Sequence, residues 1–244
     1  MSRSFLHPEA RRGLRDVAPI LLGIVPFGLV AGAAAINAGL TPLQAAGLSV
    51  VVFAGASQLA AIELLGTNAE LLVIFVTGAV INLRLLMYSA SIAPHFRPFR
   101  DRWKAVCSYV LTDQAYALSV ARYTADADLD PAARRQYYLA VGGSLWVVWQ
   151  LCSLVGIVVG ARVPASWGLE FAVPLVFLSL LVPAISSWPK LVAAAVGGGV
   201  AVAGAALAVP LNLGLIGGGL AGVAAGVLAD ARLPTDATGS EGAH

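Results

Sequence analysis

VAPILLGIVPFGLVAGAAAINAGLTPLQAAGLSVVVFAGASQLAAI, residues 17–62, contains no Asp, Glu, Lys or Arg. About 20 mostly apolar residues are enough for a helix to cross ~30 Å of hydrocarbon, so this stretch holds two passages rather than one. Working outward, such runs recur along the chain. Hydrophobic residues make up 59% of the sequence, charged ones 11%, and the mean hydropathy is +0.83. That composition excludes a water-soluble globular domain and predicts an all-α integral membrane protein.

Punctuation divides the chain. The first helix is expected over Val17–Ala38, interrupted by Pro26, Gly28 and Gly32. Asn37-Ala38-Gly39-Leu40-Thr41-Pro42 reads as a tight turn, with Thr41 capping a second helix to Leu65. A third follows over Leu71–Ala93, then the basic stretch HFRPFRDRWK (95–104), then a shorter segment, Ala105–Ala121. The polar loop 122–136 ends in Asp130-Pro131, an N-cap followed by a first helical residue. Four more helices fit Tyr137–Gly160, Leu169–Ser187, Leu191–Val209 and Leu211–Ala229. The expectation is seven or eight transmembrane segments in one transport domain, 17–229, between a basic cytoplasmic segment, 1–16, and a disordered tail, 230–244. A faint echo between 17–93 and 137–209, in which Pro42…Phe53 matches Pro164…Phe177, suggests a weak internal repeat.

The formal net charge is +2, and the arginines sit mainly in loops, where they report orientation rather than a nucleic-acid surface. Arg3, Arg11, Arg12 and Arg15 assign the N-terminus to the cytoplasm. Three full crossings would then carry Arg97, Arg100, Arg102 and Lys104 outside. Either that loop breaks the positive-inside tendency, or an early segment dips in and returns. The second segment, where Gly55 precedes Ser57-Gln58, is the better candidate for a broken or re-entrant helix.

Polar residues within spans carry the functional information, because each is expensive in hydrocarbon. Asn82 is central in Leu71–Ala93 with Arg84 two residues on, Asp113 is central in Ala105–Ala121, and Ser57 and Gln58 lie just beyond the middle of Thr41–Leu65. A mid-span Arg requires a partner. Arg84 forms a structural salt bridge with Asp113, or binds a substrate carboxylate, or does both at different stages. Asn82 and Arg84 lie about 200° apart on a helix, so they serve different faces. Tyr109, Asp113 and Tyr116 at i, i+4 and i+7 place two phenols beside one carboxylate, a proton switch or a satisfied polar cluster. Ser57 and Gln58 line a pathway or hydrogen-bond between helices. Glu63, near a helix end, reads as a surface residue, and Asn212 is a lesser candidate with an ordinary capping role.

Other chemistries find no support. His7, His95 and His244 lack metal-ligand spacing, Cys107 and Cys152 sit in apolar runs, and no nucleophile elbow, phosphate loop or dinucleotide fingerprint occurs. No enzyme, cofactor or metal is expected. Gly197-Gly198-Gly199 and Gly217-Gly218-Gly219 lie in apolar helices, where they serve packing.

GIVPFGLVAG (23–32), FAGASQ (53–58), NLRLLMYS (82–89) and YVLTDQAYAL (109–118) together resemble the AzlC/BrnF family of branched-chain amino-acid exporters, large subunit. The resemblance implies a permease of the cell inner membrane that exports Leu, Ile, Val and often Met. It implies drive by the proton-motive force and a small hydrophobic partner subunit of the AzlD/BrnE type. On this reading Arg84, Asn82, Ser57 and Gln58 hold the substrate, and Asp113 meets its ammonium or carries the coupled proton. A transporter of another small solute and a channel-like or scaffolding membrane subunit remain open alternatives.

Overall fold

The computed structural model describes residues 7–160, 185–207 and 213–232, with Leu178, Leu181 and Val209. Leu169–Ser187, Asn212 and Pro164…Phe177 lie wholly or mostly outside the described residues. The described elements are helices: α1 Pro8–Asn37, α2 Pro42–Val51, α3 Gly55–Gly66, α4 Leu71–Phe96, α5 Asp101–Tyr109, α6 Asp113–Ala125, α7 Pro131–Gly160, α8 Trp188–Ala206 and α9 Leu213–Arg232. Among them α1, α4, α7 and α8 are long and apolar enough to cross a membrane. The chain forms two compact units, Met1–Val176 and Phe177–His244.

In the first unit α1 and α7 pack side by side and in parallel. Gly13 meets Tyr137 toward one end, and Gly32 meets Ser153 and Ile157 toward the other. The contact is made by Gly28 and Gly32 of α1 against Gly156 and Gly160 of α7, each pair four residues apart and therefore on one helix face. Lipid tails supply no hydrophobic drive for helices to associate, so close backbone approach through small residues is what holds them. Pro26, Gly28 and Gly32 therefore do not interrupt the first helix. It is continuous from Pro8, and its first turn is capped by the His7 ring, whose Nδ1 accepts from the Glu9 amide at 3.2 Å. The stretch expected as a separate basic segment is largely its first turns.

The second segment is broken, as its Gly55-Ala56-Ser57-Gln58 run suggested. Thr41 and Gln44 form a capping box at the start of α2, and the helix stops at Val51. A three-residue turn follows, with the Ala54 amide donating to the Val52 carbonyl at 2.9 Å, and α3 then starts at Gly55. At the tip Gly55 lies against Phe27 and Trp149, deep in the unit, whereas Gly66 lies beside Ala38 at the end of α1. With 10 and 12 residues, α2 and α3 are about 15 and 18 Å long, half the hydrocarbon thickness. They enter and return on one side.

The next segment departs from expectation. Ala105–Ala121 is two helices, with a break at 110–112 where Thr112 caps α6 by accepting from the Ala115 amide at 3.2 Å. Asp113 is consequently the first residue of a half-depth helix. Its tip, Val110, abuts Gly142 in the middle of α7, and α6 returns to the end from which α5 came. There Arg122 donates through Nε and Nη2 to both Glu9 carboxylate oxygens at 2.9 Å. The Tyr137 hydroxyl donates to Asp16 at 2.8 Å, and the His95 ring packs on Tyr123.

The first return resolves the orientation conflict. With α2–α3 crossing nothing, α4 is the second full passage, and the 95–104 stretch lands on the N-terminal side beside Arg134 and Arg135. The opposite end of this unit carries Glu63, which is exposed, and Glu70, and among the described residues no Lys or Arg. The Lys and Arg residues of this unit thus gather at one end, the distribution that the positive-inside tendency describes.

The two broken pairs belong to an inverted repeat. Helices of 30, 10 and 12 residues in 8–66 are answered by 26, 9 and 13 in 71–125, with connections at 38–41 and 97–100 and breaks at 52–54 and 110–112. α6 starts 58 residues after α3 (113 against 55), and α1 and α4 run in opposite directions. The expected echo was between 17–93 and 137–209, part of which lies outside the described residues; the repeat seen here has a different register.

α7 begins at Pro131, where Asp130 accepts from the Ala133 amide at 2.8 Å. That amide, with the Ala132 amide, holds the Asp130 carboxyl below its usual range, so the cap is complete at neutral pH and is lost as acid protonates it. In the second unit the described helices α8 and α9 form a hairpin. Gly214, Gly218, Gly222 and Gly226, one per turn of α9, face Gly204, Ala201, Gly197 and Ala193; of the six glycines expected to pack, Gly197 and Gly218 do so, while Gly198, Gly199, Gly217 and Gly219 meet nothing within 4 Å.

Candidate functional site

The tips of the two half-depth pairs meet. The Tyr109 hydroxyl, at the end of α5, donates to the Val50 carbonyl in the last turn of α2 at 2.6 Å and accepts from Trp146 Nε1 of α7 at 2.9 Å. Phe53 lies beside the same phenol. A helix that ends within hydrocarbon leaves its last carbonyls without donors, and side chains supply them. Gln150 Nε2 donates to the Ser49 carbonyl at 3.1 Å, and Trp149 Nε1 to the Ser49 hydroxyl at 3.0 Å. At the other tip the Tyr138 hydroxyl donates to the Cys107 carbonyl at 2.9 Å.

Tyr109 therefore leaves the helix face it was expected to share with Asp113 and Tyr116, because α5 ends at Tyr109 and α6 starts at Asp113. Tyr109→Phe removes the bonds to the Val50 carbonyl and from the Trp146 N–H together, at roughly 0.5–1.5 kcal/mol each, Tyr109 being 43% exposed. Its thermal unfolding midpoint should fall below that of Tyr116→Phe, whose hydroxyl makes a single bond, to Ser91 at 2.9 Å.

The ion pair expected between the third and fourth segments is present. Arg84 Nη1 stands 2.9 Å from Asp113 Oδ2, with the two side chains 33% and 36% exposed. Tyr88, one turn along α4, stacks on Tyr116 at 4.5 Å between ring centres. The pair is only half satisfied internally, since Arg84 Nε and Asp113 Oδ1 are buried without a partner among the described residues. Asn82 Oδ1, also in α4, is in the same condition.

Ser57 and Gln58 occupy the first turn of α3, each 2% exposed. Ser57 donates to the Ala54 carbonyl at 3.0 Å, while Gln58 Oε1 has no partner among the described residues. Counting back from the α3–α4 turn, Gln58 is about 12 Å down α3, and Asn82 about 16 Å down α4. The two polar sets thus lie within one helical turn in depth. Among the described residues no hydrogen bond joins Ser57 or Gln58 to Asn82 or Arg84.

Two open grooves end near the tips, and neither is lined by Ser57, Gln58, Asn82, Arg84 or Asp113. One of about 330 Å³ runs between α4 and α5 from Arg97 and Lys104 to Leu111 at the second tip. The other, about 540 Å³, runs from Gly39 and Gln44 to Val52 at the first.

Sequence reading missed Ser49, Phe27, Trp146, Trp149 and Gln150 as parts of this junction. Gln150, a lone amide in the apolar run of α7, was a visible signal. So was Thr112-Asp113, a helix start inside a presumed span.

The AzlC protein family model matches residues 19–163, nearly all of α1–α7 with both broken pairs. An uncharacterized membrane protein of Archaeoglobus fulgidus is 28% identical over 216 residues, 87% of this chain and 91% of that protein. The inner membrane protein YgaZ of Escherichia coli K12 is 25% identical over 175 residues, covering 69% and 70% of the two chains. An uncharacterized membrane protein of Helicobacter pylori is 26% identical over 178 residues, 70% and 75%. No solved structure matches. The chain spans most of each relative and shares with them a membrane setting, and it belongs to the AzlC family of membrane proteins.

Proposed function

We propose that this chain is the large subunit of a secondary exporter of branched-chain amino acids, Leu, Ile, Val and Met among them, coupled to the proton-motive force. The observation that carries the reading is the meeting of two half-depth helix pairs from opposite membrane faces, each with an open groove ending near its tip. Inverted repeats with broken helices at mid-depth supply the two-state geometry of alternating access. Tyr109 is the latch between the tips.

The Arg84–Asp113 pair is the coupling element. Protonation of Asp113 removes the charge that holds Arg84, so α6 is released from α4 when the proton arrives. Asn82, Ser57 and Gln58 face the substrate, and Tyr116 supports the pair through Tyr88. The partner is a small hydrophobic membrane subunit of the AzlD/BrnE type. An apolar face of α4 suits it, where Leu83, Leu86 and Met87 are each more than half exposed.

Leucine efflux tests the proposal in cells loaded with a leucine-containing dipeptide. Efflux is expected from the chain with its small subunit, not from the chain alone, and a protonophore abolishes it. An intact pair, present in the membrane yet exporting no leucine, points to another solute or to a scaffolding role.

A further inference from the structure

Among the helix ends at the junction, the amide end of α3 stands apart. The carbonyl ends of α2 and α5 receive donors from Tyr109, Gln150 and Tyr138, and the amide end of α6 is capped by Thr112. At α3 the cap position is Ala54, which has no acceptor, and the amides of Gly55, Ala56 and Ser57 have no partner among the described residues. Ser57 turns its hydroxyl back to the Ala54 carbonyl. The partial positive charge of a helix N-terminus is left uncompensated in a medium where it is strongly felt.

An independent feature lies beside it. Gln58, 2% exposed, holds an unpartnered Oε1. Helical side chains lean toward the N-terminus and cover the preceding turn, so this acceptor is aimed at the same first turn. Free donors and a free acceptor side by side describe the complement of a zwitterion. The rings of Phe27 and Trp149, closing on Gly55, place apolar surface next to it.

The repeat makes the contrast specific. At the 58-residue shift, Ala54 and Gly55 correspond to Thr112 and Asp113. The first turn of α6 thus carries its own capping hydroxyl and its own carboxylate, which engages Arg84. The equivalent turn of α3 has neither, so its carboxylate has to come from outside the chain.

We infer that the amides of Gly55, Ala56 and Ser57 receive the carboxylate of the transported amino acid, that Gln58 Oε1 accepts from its ammonium group, and that Arg84 is not the carboxylate anchor. The assignment rests on reading the chain as an amino-acid transporter, and gives the substrate carboxylate to the first turn of α3 in place of Arg84, to which the family resemblance would assign it.

The test is binding of radiolabelled L-leucine to the full chain with its small subunit, in competition with leucinamide, which lacks the carboxylate, and 4-methylpentanoate, which lacks the ammonium. Leucinamide should compete at least about tenfold more weakly than leucine, the worth of a charge-assisted hydrogen bond. Gln58→Leu, and Gln58→Met as a second variant of similar size, should weaken leucine about tenfold while leaving 4-methylpentanoate unchanged. The combined Arg84→Gln and Asp113→Asn variant should keep the preference for leucine over leucinamide while losing proton-driven export. The assignment is overturned if that preference disappears in the combined variant, or if the Gln58 variants weaken leucine and 4-methylpentanoate alike. Failure of the unsubstituted complex to bind either carboxylate ligand would instead remove the amino-acid reading, and the assignment with it.

Discussion

Gly32→Leu is expected to separate α1 from α7 and to cost roughly 3 kcal/mol or more, at the upper end of overpacking effects. A Cβ at Gly32 would overlap the Ser153 carbonyl oxygen and stand 2.8 Å from the Ile157 amide, and one at Gly156 would overlap the Leu29 carbonyl. These neighbours are backbone in long helices, so no rotamer change relieves the clash and the helix axes must move apart. Everything at the junction depends on that separation. Trp149 and Gln150, which serve α2, and Trp146, which holds Tyr109, all lie on α7. Gly23→Leu is the matched control, because a Cβ at Gly23 meets nothing within 4 Å, and its effect should stay within about 0.5 kcal/mol. Unfolding midpoints of the purified proteins in detergent measure both. Equal midpoints for the two variants would mean that the α1–α7 contact does not hold the first unit together.

Disrupting the Arg84–Asp113 pair is the second large effect expected, and under the proposed function it falls on transport rather than on folding alone. Asp113→Asn leaves a guanidinium at mid-depth facing a neutral amide. Fully buried pairs lose 3–5 kcal/mol when one partner goes; with both side chains about one-third exposed, a loss on the order of 2 kcal/mol is expected. Leucine efflux should fall to the level of cells lacking the chain. The informative variant exchanges the charges, Arg84→Asp with Asp113→Arg. A bridge that only ties α4 to α6 would recover stability and efflux together. A proton-operated lock would recover stability but not efflux, because the carboxylate has moved from the tip of a half-depth helix into the middle of a full-length one. Recovery of both would reduce the pair to a structural tie.

The pairing of Arg84 with Asp113 was legible because a charge in hydrocarbon needs a partner, and few are on offer. Its depth was right for a different reason than expected. Asp113 reaches the middle of the unit because α6 begins there, while the Ala105–Ala121 run looked like a whole span with that residue at its centre. The phenol of Tyr109 illustrates the opposite case. An i, i+4, i+7 face requires one continuous helix, and the break at 110–112 directs Tyr109 to Val50 instead, 59 residues away.

By itself the sequence determined the membrane setting, the helical class, the family resemblance, the capped starts at Thr41 and Asp130 and the short list of polar residues inside apolar runs. Each of these depends on what a segment exchanges with its immediate solvent or its nearest chain neighbours. The charge distribution also left two alternatives, a basic loop on the far side or an early segment that returns, and α2–α3 takes the second. Only the tertiary structure decided that two segments return, from opposite faces, and in which register they repeat. A helix can end at mid-depth only where its freed carbonyls find donors, and those donors, Tyr109 for Val50 and Gln150 for Ser49, come from 59 and 101 residues away. Whether a run of apolar residues crosses the membrane or turns back within it is therefore set by its neighbours in space.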